Sequence, residues 1–542
     1  MFTQPVHGAQ FYGRHDVLNI LNKRMDALRS GYRQNVALSG KMLTGKSSIL
    51  HHFLTSVNDR TCIPVYVEVG EKSFISFAYK FMATVLYGFL KSEDIACQKD
   101  MDKLIEAGYR IIPKTTAQID KIRTDLSKRR FNNAYRMLLE LTSILREETM
   151  KSCIVILDEF HNLEKFSIKN PFYYLGKIIM VQKNTMYIVS SSERNAFRKI
   201  LSEKLSLLFG NFEVINISGF DSQTAKHFVR EKISPITVSE YYLDYLLDIT
   251  EGNPFYLSMI SEGIKSCANR ISCNRVNVEL LKSALAEVTF NPTGTINQHF
   301  KNQIHYILDK KTRAQHLNIL YALCQGVNRL KDISIFLKSD ERVISRKIDE
   351  LISFDLVFKC GVFIRISDRL FEFWLKNVYH KKEMALIDTI SDEVAEFMNF
   401  VESDIEGYLI EYNQGDMERL RSAFLSFKGE LVEIDRRSRR LPRFSRIDIL
   451  KYGSDKDYIA CESEAKYWIF KVMRKYTDEH DVIDFLERAG AHKNSAIRRV
   501  IISLAGIDQN ALLMAKERNI WVWNLKTINM LMRLYGMHNL IV

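Results

Sequence analysis

The eight cysteines of this sequence (Cys62, Cys97, Cys153, Cys267, Cys273, Cys324, Cys360 and Cys461) include no CxxC pair, and no histidine stands beside them at zinc-ligand spacing. Most sit inside apolar runs and read as small buried hydrophobes, so neither a disulfide scaffold nor a zinc module is expected. That usage favours a reducing, cytoplasmic setting. The opening "MFTQPVHGAQFYGR" has no basic segment followed by an apolar one, and a window of about 18 uninterrupted apolar residues is absent, so neither a secretory leader nor a membrane span is expected. No long low-complexity segment interrupts the chain. What remains is globular: 46% hydrophobic and 26% charged over 542 residues. That length exceeds one core and suggests three or four domains at about 150 residues each. The net charge of +12 is compatible with nucleic-acid contact without requiring it.

"NVALSGKMLTGKSSILHHFL" reads as strand, glycine loop and helix. In the GxxxxGK[ST] spacing, Gly40 and Gly45 let the backbone curl so that its N–H groups point at phosphate oxygens. Lys46 then reaches the β- and γ-phosphates, Ser47 ligates Mg²⁺, and Ser48 stands in the first turn of a helix whose N-terminus faces the anion. "SCIVILDEFHNL" supplies the second half of such a site, a strand ending in Asp158 and Glu159. Asp158 is expected to hold Mg²⁺ and Glu159 to polarise the attacking water. "MYIVSSSERN" is a further strand that ends in Ser190, Ser191 and Ser192, with Ser191 the candidate γ-phosphate sensor. Arg194 and Arg198 follow, either as a charge-stabilising finger or as a solvated helix face.

"FYGRHDVLNIL" resembles the FxGR box of AAA+ and STAND-type ATPases, which implies Arg14 near the nucleotide. "ITEGNPFYLSMI" resembles their GxP motif and implies that Pro254 packs near the adenine. The chain is similar to the predominantly archaeal family of P-loop ATPases that carry a winged helix and a C-terminal nuclease-like region. It departs where that family often has Gly-Arg, since here Gly210 precedes Asn211. Between the P-loop and Asp158, residues 73–148 read as a basic, helix-patterned insert.

From residue 313 the pattern is three helices and two short β runs, Leu356 to Lys359 and Val362 to Ile366, as in a winged helix. The third helix, Glu341 to Ser353, would be the recognition helix, with Arg342, Arg346 and Lys347 exposed. "IRISDRLFEFWL" resembles the family's post-wing signature, with Arg369 where a proline is usual. In the last quarter "SFKGELVEIDRR" reads as helical, followed by three strands, a helix and a strand, the core order of restriction-endonuclease-like folds. "YIACESEAKYWIF" reads as one strand with Glu462, Glu464 and Lys466 on one face. With Asp448 upstream this gives D…ExK: Asp448 and Glu464 as ligands of Mg²⁺ or Mn²⁺, Lys466 orienting water, and Glu433 on the leading helix as an extra acid.

The expected fold class is α/β multidomain. A P-loop NTPase core with a parallel sheet spans 1–217, a helical lid 218–312, a winged helix 313–380, a helical connector 381–413 and a PD-(D/E)xK nuclease-like domain 414–542. The expected function is an ATPase that couples nucleotide state to DNA binding or metal-dependent DNA cleavage. A STAND-like switch with an inactive nuclease fold and an initiator-like DNA-binding ATPase stay open, as does homo-oligomer formation. Expected partners are ATP, Mg²⁺ and DNA, with no membrane.

Overall fold

Apolar runs of six or seven residues buried on both faces, as at Asn35–Gly40, Ser152–Asp158 and Thr185–Ser191, are what a parallel sheet sandwiched between helices requires. A computed structural model describes residues 5–57, 60–70, 73–205, 208, 210–308, 311–381, 390–435, 437–452, 455–464, 466–489 and 497–542; part of the expected connector, 382–389, lies outside them. The chain divides into two units, Met1–Gly219 with Asn253–Phe255, and Phe220–Gly252 with Tyr256–Val542.

In the first unit β1 (Asn35–Gly40), β2 (Cys62–Glu68), β3 (Ser152–Asp158), β4 (Thr185–Ser191) and β5 (Phe212–Ile217) form one parallel sheet in the order β2-β3-β4-β1-β5. The helices His15–Arg29 and Lys46–Ser56 cover one face through Leu21, Ile49 and Phe53. The insert between β2 and β3 forms the helices Phe74–Ser92, Met101–Tyr109, Pro113–Ser127 and Phe131–Thr149. Its aromatic residues Phe77, Phe81, Phe89 and Tyr135 extend the core on the other face. β1 lies between β4 and β5, so the order reverses beside it and leaves a crevice at the carboxyl ends of the strands, where open α/β sheets bind ligands.

The second unit begins with helices, among them Ser222–Ile233, Glu240–Thr250 and Val278–Leu285. Three further helices, Arg313–Cys324, Leu330–Phe336 and Glu341–Ser353, precede the antiparallel pair β6 (Val357–Cys360) and β7 (Phe363–Ile366). The turn between them cannot carry a side chain: Gly361 has φ +61°, and a Cβ there would lie 1.9 Å from the Leu431 carbonyl oxygen. A long helix, Ile390–Leu425, is broken at Gly415. It leads into the hairpin β8 (Leu431–Ile434) and β9 (Arg437–Arg440) and then a mixed sheet of β10 (Phe444–Tyr452), β11 (Asp455–Ser463), β12 (Tyr467–Met473), β13 (Ile497–Ser503) and β14 (Trp521–Asn524). β10, β11 and β12 are antiparallel neighbours; β12, β13 and β14 run parallel, with Glu479–Ala489 and Gln509–Glu517 as crossover helices.

Two sequence expectations change here. "ELVEI" is strand rather than helix: its period is two, with Val432 and Ile434 buried while Leu431 and Glu433 are exposed, so Glu433 lies on β8. The stretch Tyr458 to Phe470 is two strands, because the chain turns after Ser463, whose N–H and hydroxyl both donate to the Lys466 carbonyl at 3.1 and 2.7 Å. Glu462, Glu464 and Lys466 therefore do not form a stripe on one strand.

A buried ionic cluster ties the second unit together. Asp248, fully buried, accepts from Arg369 Nη1 at 2.8 Å and from the Asn539 N–H at 2.8 Å, and its Oδ2 lies 2.7 Å from His538 Nδ1. Burial alone would raise the Asp248 pKa, but the Arg369 charge and the His538 bond outweigh it and hold the carboxyl below its ordinary value. Arg369 is thus a structural ion-pair partner at the position where the related pattern has proline. Asp248→Ala should lower stability to urea by about 3–5 kcal/mol, because Arg369 is then left buried without its acid, while Asp248→Leu with Arg369→Met should recover most of it. Because the folded-state pKa is depressed, the Asp248 contribution is complete above the ordinary aspartate value of about 4 and is lost as pH falls below it. In urea denaturation followed by circular dichroism, wild type should exceed Asp248→Asn in stability above that window, and the difference should shrink as pH falls through it.

Candidate functional site

The loop after β1 is built by steric exclusion. A Cβ on Gly40 would stand 2.5 Å from the Ile217 carbonyl oxygen and 2.9 Å from Thr44 Oγ1, so only glycine leaves the cradle open. Gly45 has φ +93°, which lets the helix Lys46–Ser56 start directly after it with its N–H groups facing the loop. Lys46, 4% exposed, donates to the Gly40 and Lys41 carbonyls at 3.0 and 2.9 Å, which holds its ammonium inside the loop.

Asp158, 1% exposed at the end of β3, is the acceptor at the centre of the site. Its Oδ2 takes the Ser47 hydroxyl at 2.6 Å and the Tyr66 hydroxyl at 2.8 Å; its Oδ1 takes the Glu159 N–H at 3.1 Å and the Ser190 hydroxyl. Burial, reinforced by the Asp158 charge, pushes the Tyr66 phenol far above its usual value, so Tyr66 remains a proton donor to the carboxylate. Ser47 and Asp158 thus meet where a phosphate-bound Mg²⁺ needs a hydroxyl and a carboxylate, and the two suit that ion, which takes one or two carboxylates and completes its shell with phosphates and water.

Glu159 sits in the left-handed region at φ +53°. Its Oε2 accepts from the Ser192 N–H and hydroxyl, both at 2.8 Å, and lies 3.4 Å from His161 Nδ1. His161, 7% exposed, also contacts Ser191 Oγ at 2.9 Å and Glu193 Oε1 at 3.3 Å. The three serines that end β4 and its exit therefore divide their work: Ser190 serves Asp158, Ser191 serves His161 and Ser192 serves Glu159. The phosphate sensor expected at Ser191 is instead a partner of His161. Sequence reasoning missed Tyr66 and His161; the signal for His161 was its place two residues after Glu159.

Arg14 donates to the backbone carbonyls of Ser218 at 2.6 Å and Thr44 at 3.1 Å, so it braces the loop against the exit of β5. Its neighbour Phe11 stacks on His52 at 4.1 Å. Ser48 accepts from the Val6 N–H at 3.1 Å. Pro254 Cγ stands 3.9 Å from the place of a Cβ on Gly45, beside the loop. Arg198 is exposed and Arg194 half-buried on the short helix Arg194–Lys199.

The second set of candidates does not converge. Asp448 pairs across the ladder with Ala460 and forms an ion pair with Arg446 at 2.7 Å. Glu464 lies four residues beyond Ala460, about 13 Å further at the rise of a strand, exposed in the turn with Lys466. Glu433 is exposed on β8, opposite Ser438. Among the described residues no three His, Cys, Asp or Glu side chains gather as a metal site. On the helix Glu341–Ser353, Arg342 and Arg346 are exposed, whereas Lys347, expected to be exposed, is half-buried and held by Glu350 at 2.8 Å.

No helix among the described residues is long and apolar enough to cross a membrane. No curated protein matches the chain. Among solved structures it is similar to the Walker-type ATPase paby2304 of Pyrococcus abyssi (14% identity, 69% of this chain and 99% of that one, TM-score 0.49). It is also similar to the ORC2 protein of Aeropyrum pernix (12% identity, 71% and 98%, TM-score 0.43). Residues 11–260 match the family described as an ATPase domain predominantly from Archaea.

Proposed function

We propose that the protein is a Mg²⁺-dependent ATP-hydrolysing switch whose nucleotide state controls DNA binding by its second unit, and that its restriction-endonuclease-like sheet binds without cutting. One observation carries the ATPase half: the Ser47 hydroxyl and the Asp158 carboxylate meet at 2.6 Å beside a loop that only glycine can line. Lys46 and the N–H groups that open its helix bind the phosphates. Ser47 and Asp158 would hold Mg²⁺, which neutralises phosphate charge during transfer. Glu159, oriented by Ser192 and His161, positions and deprotonates the attacking water.

The DNA half is supported by three helices followed by the β6–β7 hairpin, an arrangement read as a winged helix, with Arg342 and Arg346 exposed on the third helix. The separation of Asp448 from Glu464 and Lys466 favours a binding role over cleavage.

Lys46→Ala should abolish binding of a fluorescent ATP analogue. Glu159→Gln should keep that binding and lose turnover by about 10²–10⁴-fold, the range for removing a general base. His161→Ala should reduce turnover less and leave nucleotide affinity unchanged, separating orientation from binding; phosphate release measures all three. Labelled DNA incubated with Mg²⁺ or Mn²⁺ and ATP should remain uncut, and Lys466→Ala should behave as wild type. Metal-dependent cleavage lost in Lys466→Ala would overturn the binding-only reading.

A further inference from the structure

The stretch Glu433–Arg446 holds six arginines against two carboxylates, and the fold turns it into a hairpin laid against one end of the C-terminal sheet. On that end stands Trp521, at the start of β14. The Arg439 guanidinium lies 4.4 Å from the centre of its indole, and the Arg498 guanidinium, from β13, lies 4.5 Å from the same centre. Two like charges thus share one aromatic ring. Burial, and after it the charge of Arg439, lowers the Arg498 pKa, which is the mark of mutual repulsion. A cation held over an indole is stabilised, but a second one beside it costs Coulomb energy unless an anion lies between them.

Among the described residues no carboxylate forms an ion pair with Arg437, Arg439, Arg443 or Arg498. Glu430 pairs with Arg329 at 2.7 Å and accepts from Tyr535 at 3.0 Å, Asp448 pairs with Arg446, and the hairpin's own acids, Glu433 and Asp435, are exposed. Arg437, Arg440 and Arg443 are exposed. A cluster of guanidinium groups without ion-pair partners among the described residues fits a polymer with one negative charge per repeat, and arginine presents its donors in the fork that matches phosphate oxygens.

We propose that this hairpin end, Arg437, Arg439, Arg440, Arg443 and Arg498 around Trp521, is the surface on which the protein holds a polynucleotide by its phosphates. The inference rests on the DNA-binding reading above and moves its main contact from the helix Glu341–Ser353 to the C-terminal sheet. Contact through phosphates is sequence-independent and strongly salt-dependent.

The test is fluorescence anisotropy of the full chain with labelled single-stranded DNA, duplex DNA and RNA of one sequence, from low to physiological salt. Two double variants are compared, Arg437→Gln with Arg443→Gln on the hairpin, and Arg342→Gln with Arg346→Gln on the helix. The hairpin variant should bind at least tenfold more weakly, and its log–log salt slope should fall by about two, close to 0.9 per lost phosphate contact. The helix variant should change much less. Unchanged melting by circular dichroism identifies the loss as one of contact rather than folding. The reverse pattern overturns this surface and leaves the DNA reading intact; absence of wild-type binding to all three polynucleotides overturns both. Displacement by polyglutamate as effective as by DNA, charge for charge, also overturns it, since an acidic protein would then fit equally well.

Discussion

The nucleotide site depends on one buried carboxylate, Asp158. A charge at 1% exposure is tolerated only when its oxygens are satisfied, and this one takes donors from the P-loop helix, from β2, from β4 and from the backbone behind it. That set exists because the sheet order places β3 between β2 and β4, so Tyr66 and the end of β4 flank the acid from both sides. The same order puts the exit of β4 between the loop and Glu159, which is why three successive serines can serve three different side chains. Sheet topology, P-loop geometry and the orientation of Glu159 are consequences of one arrangement.

The second unit has its own buried acid, and it works differently. Asp248 receives a permanent cation and a backbone N–H, so it carries a fixed charge pair rather than a vacancy for a metal. Its partners come from distant parts of the sequence: Arg369 from just after β7, and His538 with Asn539 from the C-terminal tail. Nearby, Arg533 donates to the Ile366 carbonyl at 2.7 Å and pairs with Glu251, the residue before Gly252. The chain passes from this unit into Asn253–Phe255 immediately afterwards.

The ATPase core was legible because its signals are local. Glycines at fixed offsets, a strand ending in two acids and a run of serines each report a backbone geometry over fewer than ten residues, and β1, β3 and β4 lie where those runs stand. The helix Glu341–Ser353 was legible for the same reason, through its periodicity. The C-terminal sheet was not, because the signal there is a register between strands. "YIACESEAKYWIF" has the hydrophobicity of one strand, and nothing within it reveals that Ser463 closes onto Lys466. Once that turn is missed by a few residues, every later strand is numbered wrongly and the inferred metal set is scattered. Glu433 failed through the opposite error, a period-two run read as helix beside a genuine helix that ends at Leu425. Tyr66 could be found only by folding, since it meets Asp158 across the sheet.

The charge pattern of the C-terminal sheet follows from the same failure of local reading. In sequence the arginines of 436–446 look like a solvated run, the commonest meaning of such a stretch. Folding changes that meaning by bringing Arg439 to Trp521 from one side and Arg498 from another, although the two arginines are separated by three strands of sequence. A solvated run would spread its charges into water; this one gathers them onto an indole and away from carboxylates. Like charges held together by packing form a preorganised anion site, because the repulsion is already present before the ligand arrives and is relieved when it binds. The proposed phosphate contact of this sheet thus rests on its arginines rather than on Asp448, Glu464 and Lys466.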